Sequence, residues 1–66
     1  MILKAIVVNG INNPFEKGTI YNYVNKSVLV TTFKHGSLSF PVNFEDGAFY
    51  AYQDDGSVYV IFEAVI

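Results

Sequence analysis

Leu38-Ser39-Phe40-Pro41-Val42-Asn43-Phe44 alternates apolar residues with polar residues or proline, so an extended segment here buries one face and turns the other to water. Pro41 has no N–H to give to a ladder, which places its amide side at a sheet edge or a bulge. Upstream, Lys34-His35-Gly36-Ser37 reads as a turn, with Gly36 free to take the positive φ of a tight hairpin. Downstream, Glu45-Asp46-Gly47 and Asp54-Asp55-Gly56 are further turns, which delimit strands over Ala48 to Gln53 and Val58 to about Val65.

The N-terminal half repeats the pattern. A strand runs from Ile2 to Val8 and stops at Asn9-Gly10. A longer loop follows to Gly18, where Pro14 holds Asn13 extended and Phe15 is expected to pin the loop to the core. Thr19 to Val24 and Ser27 to Phe33 are strands joined at Asn25-Lys26. No segment has a helical period. The expected fold is therefore all-β: one small antiparallel barrel of about five or six strands spanning residues 1–66. The first and last strands are apolar on both faces, with Lys4 and Glu63 their only charges. Pairing them with each other would close the barrel, and a second protomer could provide the same cover.

At 66 residues a single core barely offsets conformational entropy, so dense apolar packing or self-association is required. The chain is 52% hydrophobic and 17% aromatic, which suits both, and a homodimer is expected. Cysteine is absent, which removes disulfides and thiolate metal sites and suits a reducing, cytoplasmic setting. The net charge of -2 is neither the basic footprint of a duplex binder nor the dense acidity of a DNA mimic. The apolar start lacks a basic n-region and breaks after eight residues, so neither a signal peptide nor a membrane span is expected.

No residue pattern points to catalysis, a metal or a cofactor. His35 is the one side chain that titrates near neutral pH, but Lys34-His35-Gly36 reads as an exposed turn with no triad partner at a recognisable spacing. The two acidic turns lack the alternating ligands and distal glutamate of a calcium loop. The glycines fall one to a turn and never form a phosphate-cradling run. The tyrosines are the candidate interaction surface: Tyr21 and Tyr23 share a strand face, Tyr50 and Tyr52 share another, and Tyr59 lies opposite the set Val58, Val60, Phe62 and Ala64. Aromatic rings on a sheet anchor protein interfaces or stack bases. With no arginine and scattered lysines, a protein partner is favoured over single-stranded nucleic acid.

Phe15-Glu16-Lys17-Gly18-Thr19-Ile20-Tyr21, followed by a strand, a hairpin at His35-Gly36 and Phe40-Pro41, resembles the F-x-K-G-x-x-Y opening of small SH3-like barrel proteins common in phages and mobile elements. The resemblance covers about half the chain. It implies a strongly bent barrel that works by binding, and many phage proteins of this size hold a host protein, antiviral defence proteins among them. The chain lacks tryptophan and the acidic specificity loop of a peptide-binding SH3 domain, so a proline-rich ligand is not expected. The alternatives are a single-stranded nucleic-acid-binding barrel and a structural subunit of a virion or larger assembly.

Overall fold

The computed structural model describes residues 1–34 and 36–65; the turn position of His35 lies outside the described residues. Within them the chain forms β1 (Ile2–Val8), β2 (Ile20–Val24), β3 (Ser27–Thr32), β4 (Gly36–Pro41), β5 (Asn43–Glu45), β6 (Ala48–Tyr52) and β7 (Val58–Ala64). All seven belong to one antiparallel sheet in the order β4-β3-β2-β1-β7-β6-β5. Among the described residues, no helix is long and apolar enough to cross a membrane.

The count of seven exceeds the expected five or six, and Pro41 and Val42 give the reason. Pro41 is the last residue paired with β3, opposite Ser27, while the next residue to enter a ladder, Asn43, pairs with Tyr50 on β6. The segment that reads as one strand therefore changes partners at Val42, whose buried side chain is the pivot. Because β4 and β5 are the two edges of the sheet and are joined by this one residue, the sheet must curl round on itself into a barrel-like half-cylinder.

Terminal strands β1 and β7 do pair with each other, from Leu3 opposite Ala64 to Val8 opposite Val60. They do so in the middle of the sheet, so their pairing covers two apolar strands and leaves the edges to β4 and β5. The core is Leu3, Ala5, Val28, Val30, Val42, Phe49, Ala51, Val60 and Phe62, closed by Phe15. Phe15 is 2% exposed, as its place in the loop led us to expect. Its ring stands edge-on to Tyr21, Phe40 and Phe62 with centroids 5.1, 5.0 and 5.5 Å away.

Two sequence expectations fail locally. Phe44 faces the same side as Phe49, its cross-strand partner, with ring centroids 4.9 Å apart, yet it remains 63% exposed. It stands on a three-residue edge strand with no strand beyond it among the described residues, so the inward direction brings little cover. Tyr59 does not point away from the core. The ladder between β6 and β7 slips between Ala51 and Tyr52, pairing Ala51 with Val60 and Tyr52 with Val58, which leaves Tyr59 as the extra residue of a bulge. The bulge resets the alternation, so Tyr59 packs against the core beside Val60.

Candidate interaction surface

The loop between β1 and β2 is built by asparagines. Asn13 Oδ1 accepts the N–H of Phe15 at 2.9 Å, an Asx turn that aims the Phe15 ring inward. Asn13 Nδ2 donates to the carbonyls of Asn9 and Tyr59, at 2.9 and 3.3 Å. Asn9 adds its own clamp, donating from Nδ2 to the Val58 carbonyl and from its N–H to the Tyr59 carbonyl, both at 3.0 Å. The loop is thereby moored to the bulge in β7.

The F-x-K-G-x-x-Y stretch completes the mooring. The Glu16 N–H donates to the Tyr21 hydroxyl at 2.9 Å, and the Gly18 N–H donates to the Ala5 carbonyl at 2.8 Å with Gly18 at φ +88°. Phenylalanine, glycine and tyrosine at this spacing therefore form a clamp that plugs the curled sheet.

This mooring creates a groove of about 670 Å³ between the loop and the β3–β4 hairpin, lined by Asn12, Asn13 and Pro14 on one bank and by Thr32, Phe33, Lys34 and Leu38 on the other. Its floor is Phe40 and Tyr59, whose rings lie 5.9 Å apart. Phe33 is fully exposed on the groove bank, and Ile11, on the same loop, is 91% exposed. A second, shallower groove of about 360 Å³ shares Phe40 and Tyr59 and extends over Pro41, Tyr52, Gln53 and Asp54. Burial raises the Tyr59 hydroxyl above the ordinary tyrosine range, so that phenol keeps its proton to higher pH.

The five tyrosines do not form one surface. Tyr21, Tyr23 and Tyr59 are half-buried and packed against the core, Tyr23 with its ring 5.3 Å from Phe49. Tyr50 and Tyr52 stack on the outer face of β6, 6.1 Å apart and 14° from parallel. The Tyr52 hydroxyl donates to Glu45 Oε2, and that bond raises its pKa above the ordinary value. Beside them on the outer face, the ladder places Ile61 opposite Tyr50 and Val7 opposite Ile61.

Sequence reasoning missed Ile11, Phe33 and the asparagine moorings. The only local signal was the Asn-x-x-x-Asn-Pro-Phe run from Asn9 to Phe15, in which Asn13 precedes by two residues the amide that it caps. Comparison with protein-family models, curated proteins and solved structures yields no match, so the candidate surface rests on its own geometry.

Proposed function

We propose that the chain is a non-enzymatic protein-interaction module that works as a homodimer in the host cytoplasm, binding and modulating a host protein by surface complementarity. The observation that carries this reading is the groove over Phe40 and Tyr59 with Phe33 standing uncovered on its bank and Ile11 uncovered on the adjoining loop. A 66-residue chain with a marginal core gains nothing in stability from a fully solvated phenylalanine, whereas an exposed aromatic beside a groove of mixed polar and apolar lining is what anchors protein interfaces. The phage setting and the host target are carried by the resemblance to small SH3-like phage barrels; the bent strand through Val42 is in keeping with it.

The test is recovery of the tagged chain from lysate of the candidate host, with and without nuclease, followed by affinity measurement for the retained protein. Phe33→Ala and Ile11→Ala are the informative variants because neither side chain supports the core. A true anchor should lose about 2 kcal/mol of binding, roughly 30-fold in affinity. Nuclease-sensitive recovery, or a retained protein that binds both variants as tightly as the parent chain, would count against this surface.

A further inference from the structure

Asn9 is the one asparagine of the chain that precedes glycine; the others precede Asn13, Pro14, Tyr23, Lys26 and Phe44. The neighbour decides the chemistry of a side-chain amide. A backbone nitrogen that reaches Cγ of the preceding asparagine closes a succinimide ring, a side chain on the attacking residue obstructs that approach, and proline has no N–H to lose. Nothing obstructs it at Gly10: a Cβ built there would meet no atom within 4 Å, and both residues are exposed. Among the described residues, no hydrogen bond holds the Gly10 N–H. The nucleophile is therefore free, and the electrophile is what the fold restrains. Asn9 is held at three points: Nδ2 donates to the Val58 carbonyl and the N–H to the Tyr59 carbonyl, both at 3.0 Å, while the Asn9 carbonyl accepts Asn13 Nδ2 at 2.9 Å. As long as these bonds last, the side-chain amide is committed to β7.

We propose that Asn9-Gly10 is a self-modification site, closed while the first loop is moored to β7 and reactive when the loop lifts away, and that its products cannot restore the mooring. The Gly10 nitrogen bonds to Asn9 Cγ, the Cγ–Nδ2 bond breaks, and Nδ2 leaves as ammonia carrying the Gly10 amide proton. Water then opens the imide. Attack at Cγ leaves aspartate in an unaltered main chain, and attack at the main-chain carbonyl leaves isoaspartate, whose main chain runs through the former side chain. Aspartate has no proton to give the Val58 carbonyl and sets oxygen against oxygen where Nδ2 donated. Isoaspartate lengthens the main chain by a methylene and turns the carbonyl that accepted Asn13 Nδ2 into a free carboxylate. In both, the loop that carries Asn12, Asn13 and Pro14 loses its hold, and the groove loses that bank. Local opening is thereby made permanent. The inference stands on the mooring alone and is independent of what the groove binds.

The test is to age the purified chain at mildly alkaline pH, folded and in strong urea, and to follow the peptide from Ala5 to Lys17, released by a lysine-specific protease, by mass spectrometry. Fragmentation locates the acid, and enzymatic methylation of isoaspartate identifies that product. Conversion is expected at Asn9 ahead of Asn12 and Asn13, slower in the folded chain than in urea. Asn13→Ala removes two of the mooring bonds and should speed conversion of the folded chain about fivefold or more, the effect of at least one lost hydrogen bond on the opening equilibrium. Where that variant unfolds, urea well below the parent's transition loosens the loop in its place. The aged chain, separated from the fresh one by charge, should show faster hydrogen exchange at the Phe15 amide and a lower unfolding temperature, and Asn9→Asp should match it in exchange. Conversion in urea with none at Asn9 in the folded chain overturns the proposal, as does a folded rate equal to that in urea or one that loosening the loop leaves unchanged. An aged chain whose Phe15 amide exchanges as slowly as in the fresh chain would show that the loop stays moored, and overturns it equally.

Discussion

Asp55 secures the last hairpin with one oxygen: Oδ1 accepts the Ser57 hydroxyl at 2.6 Å and the Ser57 N–H at 2.9 Å. These bonds hold its carboxyl below the ordinary carboxylate value, the hydroxyl bond contributing most. The unfolded chain has no such bonds, so the contribution to stability is complete above the ordinary aspartate pKa and is lost as pH falls through the lower folded value. Below about pH 4 the parent chain should therefore lose stability that Asp55→Asn, which cannot titrate, does not lose. Urea midpoints for both chains across the acid range check this, and parallel curves would show that the turn draws nothing from the ionised form. At the same scale, Tyr59 shows where residue-by-residue reading stops. Its type and spacing were visible in the sequence, but its direction was set by a bulge whose cause lies in the pairing of β6 with β7.

Turn chemistry explains why most elements were legible before the structure. Asn25-Lys26 and Asp46-Gly47 each join paired strands with both residues at positive φ, the geometry whose twist matches a right-handed hairpin. Lys26 takes φ +63° without being glycine, while its carbonyl serves Val42 at the strand switch. Lys26→Gly should therefore stabilise the chain by up to about 1 kcal/mol through relief of the left-handed backbone, leaving that carbonyl in place. Thermal unfolding of the two chains measures it, and a less stable variant would mean that the entropy of the added glycine outweighs the strain. The division of one alternating segment into β4 and β5 was not legible, because alternation is blind to which strand lies alongside: Leu38, Phe40, Val42 and Phe44 keep their phase while their partner changes from β3 to β6. The groove was hidden for the same reason. Pro14 and Phe33 lie far apart in sequence and share a groove only because the Asn9 and Asn13 side chains moor the first loop to β7.

For the molecule as a whole, the sheet order sets a gradient of protection. β1 and β7 are flanked on both sides, contain Leu3, Val60 and Phe62 with no exposed surface, and join the two ends of the chain, so opening them amounts to global unfolding. The edges can open alone. Hydrogen exchange should consequently be slowest for the ladder amides of β1 and β7 and faster for those of β5. Strand β4 splits this simple order by parity: Leu38 and Phe40 amides are held by β3, whereas Ser37 and Ser39 amides point outward and exchange at once in an isolated protomer. Equal protection at all four of these amides would show that the outward row of β4 is covered.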